Sequence, residues 1–398
     1  MSDIAIETPP VPQRLVSMDA YRGFVMLLMA SEGLEIGRVA KLHPDSAIWS
    51  FLYYQVSHVE WTGCSLWDMI QPSFSFLVGV ATVYSFANRQ AKGEPYSRMV
   101  WHALWRSLVL IVLGVFLRSD NKPQTYFTFE DTLSQIGLGY TFLFLLAPRK
   151  PKVQVLAAGV LLVGYWLAFA LTPMPGAGFN YATVGIKPSW EHLQGFAAHW
   201  DKNTNFAHYF DTWFLNLFPR EKPFAFNGGG YLTLSFIPTL ATMILGLLAG
   251  GLLKSEKTAG DKIKLLVFAG IGCIIPGILL DRTGICPVVK RIWTPSWTIF
   301  SGGYCFLLLA AFYGIIDVKQ KRKWAFPLVV VGMNSIAMYV MAHFLPDVIS
   351  RSLKTNLGQN IFERVGGEFA PILEASCVLF ILWCITLWMY RRKLFLKI

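Results

Sequence analysis

The stretch His58-Val-Glu-Trp61-Thr-Gly63-Cys-Ser-Leu-Trp-Asp68-Met-Ile-Gln-Pro72-Ser-Phe74-Ser-Phe76-Leu-Val-Gly79 decides how this chain is read. A histidine, a tryptophan and a carboxylate stand at the mouth of an apolar run that continues from Leu66 to Ala87. That run is long enough to cross a bilayer as a helix, which takes about 20 apolar residues. Ionisable groups at membrane depth cost a few kcal/mol each and persist mainly where they face a polar cavity or take part in chemistry. Ser65, Asp68, Pro72, Ser75, Gly79 and Thr82 recur at intervals of three or four, on one helical face. The stripe reads as either a close-packing seam or the wall of a polar passage. Small residues for helix packing account for Ser75, Gly79 and Thr82. They do not account for His58 and Asp68.

The remainder of the 398-residue chain has the same character. It is 54% hydrophobic and only 15% charged, with a positive mean hydropathy, which is the composition of a membrane protein. The apolar stretches predict an all-α fold, a polytopic transmembrane helix bundle. Its ten spans fall at roughly 20–36, 65–87, 101–118, 132–147, 153–172, 231–253, 263–280, 297–316, 325–345 and 370–390. The segment 48–57 is an eleventh candidate, suited to the membrane interface. With ten spans both termini share a side, and that side holds about 21 of the 35 basic residues but about 7 of the 24 acidic ones. The positive-inside rule then makes the termini cytoplasmic and puts His58 outside. The formal charge of +11 is thereby a topology signal, not a mark of nucleic-acid binding. Residues 1–13 have neither a basic n-region nor an apolar core, so no cleaved signal peptide is expected.

The whole of 1–398 reads as one integral-membrane domain. Within it, residues 173–230 form an outer loop far longer than a structureless connection. The loop interleaves aromatic rings with His192, His199, Asp201, Asn203, Asn205, His208 and Asp211. This composition suits a compact interfacial cap and equally a sugar-contacting surface. Its histidines are too loosely spaced for a metal site. Asn227-Gly-Gly-Gly-Tyr231 reads as a tight turn. Of six cysteines, Cys64 and Cys286 lie near the outer side, where a disulfide is open to them, and no CxxC pair marks a zinc or redox site.

Arg14-Leu15-Val-Ser17-Met-Asp19-Ala-Tyr-Arg22-Gly23 enters the first span from the cytoplasm, with Asp19 and Arg22 on adjacent positions of one face. They read either as an interfacial pair or as a cation, Arg22, that meets an anionic cofactor. Together with the His58 run, Trp105-Arg106-Ser107, Leu133-Ser-Gln135-Ile-Gly137, Ile316-Asp317 and Gly332-Met-Asn334-Ser335, this segment resembles the heparan-α-glucosaminide N-acetyltransferase family and its bacterial relatives. The resemblance runs from about Arg14 to the C-terminus, leaving out the long outer loop.

The resemblance implies a multi-pass acetyltransferase of a bacterial inner (plasma) membrane. It would take acetyl-CoA from the cytoplasm as co-substrate, with no metal, and pass the acetyl group to an amino sugar or glycan outside. Its partners are the carbohydrate acceptor and the lipid bilayer, with no nucleic acid; a homodimer is left open. His58 takes the catalytic place, as general base or as nucleophile, with Asp68 to orient it. On a continuous helix the two would stand about 15 Å apart, so the pairing requires a bend near Gly63. Arg22, Arg106, Gln135, Asn334 and Ser335 take cofactor-binding places, and Trp61 and Glu32 substrate-binding ones. Three departures touch the acceptor: Ala30-Ser31-Glu32-Gly33 where relatives often carry an asparagine, Ser134-Gln135 in place of Gln-Arg, and Asn227-Gly-Gly-Gly in place of Asp-Pro-Glu-Gly. A glycan O-acetyltransferase and a secondary transporter of a sugar-like solute are the alternatives; buried charges and Pro72 also mark transporter helices.

Overall fold

The computed structural model describes residues 15–396. Arg14 and Lys397, counted above in the motif and charge pattern, and the reading of residues 1–13 lie outside the described residues. The regular secondary structure of the described residues is helical, apart from one isolated bridge between Thr62 and Val289. α1 (Val16–Ala30) leads to two short helices, α2 (Ile36–Ala40) and α3 (Ala47–Gln55). Then come α4 (Ile70–Ala91), α5 (Tyr96–Arg118), α6 (Thr132–Leu146) and α7 (Pro151–Ala170). The long loop carries α8 (Phe206–Phe214). The second half is α9 (Phe236–Lys254), α10 (Ala259–Arg282), α11 (Pro295–Phe312), α12 (Phe326–Gly332) and α13 (Ser335–Phe344). Finally, α14 (Pro346–Leu357) and α15 (Ile361–Gly366) precede α16 (Ala370–Arg391). Side-chain caps set several starts, with Asp131, Asn205, Thr258 and Thr294 each accepting a first-turn N–H.

Every expected span falls on helix. Seven helical segments among the described residues are long and apolar enough to cross a membrane, and an eighth is the pair Lys323–Gly332 and Ser335–Phe344, bent by 70°. The count of ten rests on adding α1 and α6, each 15 residues long and so shorter than a usual span. The first helix also ends earlier than expected, at Ala30. Beyond it Glu32, Gly33, Leu34 and Glu35 all have positive φ, between 46° and 68°. One turn of left-handed backbone costs about 1–2 kcal/mol per non-glycine residue, so it needs the packing of α16 against it.

Two glycine pairs bring backbones together. A Cβ on Gly79 would lie 1.9 Å from the Met243 carbonyl oxygen of α9, and one on Gly246 1.9 Å from that of Phe76. Likewise Gly23 of α1 and Gly332 of α12 each abut the other helix's carbonyls, Leu328 and Asp19, at 1.7 and 1.8 Å from such a Cβ. The Ser75–Gly79–Thr82 stripe is therefore a packing seam. Asp317, far along the chain, caps α1: its carboxylate accepts from Val16 N–H (3.2 Å) and Ser17 N–H (3.1 Å), where a negative charge complements the helix dipole.

The long loop folds into a compact cap. Trp61, Phe169, Trp200, Leu232 and Val289 are buried together in a second core, apart from the main one. In the turn at its end, Asn227 Oδ1 accepts from Gly229 N–H and Tyr231 N–H, and Gly230 takes φ +78°. Cys64 and Cys286 are both free.

Candidate active site

The bend near Gly63 is present. Gly63 has φ +116°, a value open to glycine but strained for other residues. Its N–H donates to Val288 O at 3.0 Å, and Thr62 pairs with Val289 in a short antiparallel bridge. The His58 segment is thus folded back against the loop that joins α10 to α11. That return places His58 Nδ1 2.8 Å from Asp68 Oδ1. Asp68, at the mouth of α4, is 1% exposed. Its Oδ2 accepts from Val59 N–H (3.2 Å) and Ser65 N–H (3.1 Å) and stands 3.0 Å from the Ser65 hydroxyl, whose one hydrogen is shared with Ser57 O at 2.6 Å. A carboxylate held by this many donors has one position.

The same fold-back delivers a residue that the sequence reading missed. Lys290 Nζ lies 3.0 Å from His58 Nδ1 and 3.3 Å from Asp68 Oδ1. It is 232 residues from His58, and its only sequence signal is a Lys-Arg pair set among apolar residues at the outer side. Burial lowers the Lys290 ammonium to about 8, against the pull of Asp68. The His58 imidazole is also pushed below its ordinary value, first by burial and then by Lys290 and Arg291, while Asp68 opposes the shift. With its side chain 39% exposed, His58 remains within reach of a ligand.

His58 and Lys290 line a cavity of about 160 Å³ together with Gln71, Arg118, Glu130, Tyr231 and Tyr339. Burial raises the Glu130 carboxyl, with Arg118 opposing. A second cavity, of about 470 Å³, holds Arg22, Arg89, His102, Arg106, Tyr140 and Ser335. The two share one lining residue, Phe74. They also share walls. Trp67, Gln71, Phe74, Val78, Ala81, Ser85 and Arg89 run down one face of the α4 segment, the first three bordering the His58 cavity and the last five, Phe74 again included, the arginine cavity. On α1, Arg22 borders one and Met26 and Met29 the other; α5, α6 and α13 each contribute to both. One face of α4 therefore lines two aligned chambers, while another is the glycine seam.

Arg22 is 4.0 Å from Asp19. Arg106 lies over the Tyr140 ring at 4.5 Å and donates to its hydroxyl at 3.1 Å, and its buried Nε has no hydrogen-bond partner among the described residues. Three guanidinium groups, one with a spare buried donor, fit a multiply charged anion such as a phosphate or pyrophosphate.

Four residues assigned from the resemblance stand elsewhere. The Gln135 amide donates to Phe129 O (2.6 Å) and Thr233 O (3.1 Å), tying α6 to the start of α9, outside both cavities. Asn334, at the break between α12 and α13, donates to Leu394 O (3.0 Å) and accepts from Leu396 N–H (3.2 Å). Trp61 donates to Trp200 O at 3.1 Å inside the cap core. Glu32 borders a separate outer cleft with Glu35, Arg38 and Asp347. Ser335, by contrast, lines the arginine cavity. Among the described residues, no group of three or more histidine, cysteine or acidic side chains is placed to hold a metal ion.

No model of a known protein family matches the chain. It is 24% identical over 434 aligned positions to heparan-alpha-glucosaminide N-acetyltransferase of Homo sapiens, covering 98% of this chain and 60% of that protein. The Mus musculus enzyme of the same name is 24% identical over 430 positions, covering 97% and 60%. The chain thus spans about 60% of the length of these curated relatives. Nearly the full chain takes part in both matches, so it stands in a distant family relationship to the heparan-alpha-glucosaminide N-acetyltransferases.

Proposed function

We propose that this protein is an integral-membrane acetyltransferase that receives acetyl-CoA from the cytoplasmic side and acetylates an amino sugar or glycan on the outer side. The observation that carries the reading is the pair of chambers on one set of five helices, cationic in one and bearing His58–Asp68–Lys290 in the other. Arg22, Arg89 and Arg106 would hold the phosphates of acetyl-CoA, which supplies an acetyl thioester. His58 meets the reacting groups with Nδ1 tied to Asp68, so its other ring nitrogen serves as the base for an incoming ammonium or as the nucleophile. Asp68 fixes the ring. Gln71, Arg118, Glu130, Tyr231 and Tyr339, which line the same chamber, are the polar groups an acceptor would meet. In this reading the chain has ten spans, both termini are cytoplasmic, residues 173–230 form a periplasmic cap, and the membrane is a bacterial inner membrane.

The test is direct. Purified protein in detergent should gain thermal stability from acetyl-CoA, as any native-state ligand requires, and should transfer labelled acetyl to glucosamine-terminated oligosaccharides. Stabilisation by the sugar alone, with none by acetyl-CoA, would instead favour the second reading, a transporter of a sugar-like solute. The 70° break between α12 and α13 is the feature that favours it, since transporter sites are built at broken helices.

A further inference from the structure

Three groups meet at one corner of the outer chamber, and their hydrogen-bond arithmetic is restrictive. Asp68 Oδ2 is fully occupied by Val59 and Ser65. Its Oδ1 faces His58 Nδ1 at 2.8 Å and Lys290 Nζ at 3.3 Å, and these two nitrogens lie 3.0 Å apart. A neutral imidazole carries one ring hydrogen. If it sits on Nδ1 it points to Oδ1, Lys290 completes the same oxygen, and Nε2 keeps a free lone pair. If it sits on Nε2, then Nδ1 accepts from Lys290 and Oδ1 retains only the longer contact. The shorter contact and the better-satisfied carboxylate select the first arrangement.

A His–Asp pair on its own favours the imidazolium, because an adjacent carboxylate stabilises the positive ring. Here burial opposes that pull most strongly, and an ammonium 3.0 Å from the same ring nitrogen opposes it as well. We propose that Lys290 is a positioning residue that keeps the His58 ring uncharged, with Nδ1–H toward Asp68 and a bare Nε2, by holding an ammonium 3.0 Å from Nδ1 and sharing one carboxylate with it. The proposal rests on the reading of His58 as the acting group. Other charges face this corner. Arg291, bonded to Gly229 O and Val59 O, adds to the positive field. Glu130 and Arg118 border the same chamber from the loop before α6 and from α5, 3.9 Å apart, and Arg118 pairs more closely with Asp131 at 3.3 Å. Cys64, Tyr231 and Tyr339 are the other titratable neighbours, and burial raises Cys64 and Tyr231 above their ordinary values, so these two stay neutral near pH 7.

The experiment reads the ring itself. The full chain, labelled with ¹⁵N-histidine in detergent, is titrated by NMR, with the His58 signals identified by their loss in His58→Gln. Wild type should show the Nδ1–H tautomer and a midpoint below the ordinary 6.5. Lys290→Met should raise that midpoint by about one pH unit or more, whereas Lys290→Arg, which keeps the cation, should leave it near wild type. If the Met variant fails to fold, wild type still decides, because the neutral ring should shift again near pH 8 as Lys290 loses its proton. A midpoint in Lys290→Met at or below wild type, or a wild-type ring with no alkaline inflection, overturns the proposal. Acetyl transfer is assayed on the same wild-type sample. Its absence would defeat the proposed function while leaving the titration result standing.

Discussion

The two chambers differ in how their charges are held. In the outer one, His58, Asp68 and Lys290 lie within 3.3 Å of each other, and Asp68 is held further by the Val59 and Ser65 N–H groups. In the inner one, Arg22, Arg89 and Arg106 come from three helices and lean on different neighbours: Arg22 stands 4.0 Å from Asp19, Arg89 pairs with Glu94 at 2.9 Å, and Arg106 leans on Tyr140. Bond making requires atoms placed to within a fraction of an ångström, so a reacting corner is built from interlocked hydrogen bonds. Holding phosphates requires positive charge in roughly the right volume. The difference is the one expected between a place where chemistry happens and a place where a ligand is held.

Removing the outer keystone should have the largest effect. Asp68→Ala strips the buried Lys290 of its carboxylate partner and leaves the Val59 and Ser65 N–H groups without their acceptor. Breaking a buried pair in this way costs about 3–5 kcal/mol, so the thermal midpoint should drop by many degrees and transfer should vanish. A stable Asp68→Ala protein would mean that the corner is not interlocked.

His58→Ala sharpens the contrast, because it removes the proposed reacting group and leaves the carboxylate and lysine paired. Acetyl transfer should fall by at least about 100-fold, while acetyl-CoA binding, held by the inner chamber, stays as it was. The pH profile carries the sign. Only the unprotonated ring can take a proton or attack, so wild-type activity should rise with pH. Its midpoint should lie below 6.5, because burial, Lys290 and Arg291 all disfavour the charged ring. A midpoint above 6.5 in wild type would show that Asp68 dominates and that Lys290 does not counter it.

These effects also show which parts of the molecule were legible in the sequence. Most of the long apolar helices were, because about 20 apolar residues in a row leave few alternatives: seven helical segments and one bent pair among the described residues are long and apolar enough to cross a membrane. The His58–Asp68 relation was legible up to a condition, a bend near Gly63, and Gly63 supplies it with φ +116°. Lys290 was not legible. Nothing in its neighbourhood announces a partner 232 residues away, and it is the pairing of Thr62 with Val289, with Gly63 N–H on Val288 O, that brings the two loops together. Gln135 and Asn334 illustrate the opposite failing. A polar side chain in an apolar helix looks the same in sequence whether it holds a ligand or a backbone carbonyl, and both hold carbonyls here. Trp61 stood beside the histidine in sequence but is spent in the cap core.

A smaller effect is expected in the inner chamber. Arg22→Ala and Arg106→Ala should each weaken acetyl-CoA binding by about tenfold, the scale of one charged hydrogen bond at roughly 1.5–3 kcal/mol. Neither should alter the rate at saturating acetyl-CoA, since neither borders the His58 chamber. Calorimetric titration measures the first and initial rates the second. If either variant loses rate but keeps affinity, the division between holding and reacting fails.

Asn334 offers the finest distinction. It lies at the break between α12 and α13, next to Ser335, which lines the inner chamber, yet both ends of its own amide are engaged by Leu394 and Leu396. Leu396 in turn borders that chamber. The amide therefore acts on the chamber through the tail it clamps. Asn334→Ala should cost about 1 kcal/mol of stability per lost hydrogen bond, leave transfer at saturating acetyl-CoA unchanged, and weaken acetyl-CoA binding by no more than about twofold. Asn334→Asp tests the same point with size nearly conserved. It loses the donor to Leu394 O and keeps an acceptor for Leu396 N–H, so it should be as destabilised as the alanine variant or more so, because a buried charge replaces a neutral amide. Should Asn334→Ala instead lose tenfold in acetyl-CoA affinity at full stability, the amide would be a direct ligand contact, and the inner chamber would extend to the helix break itself.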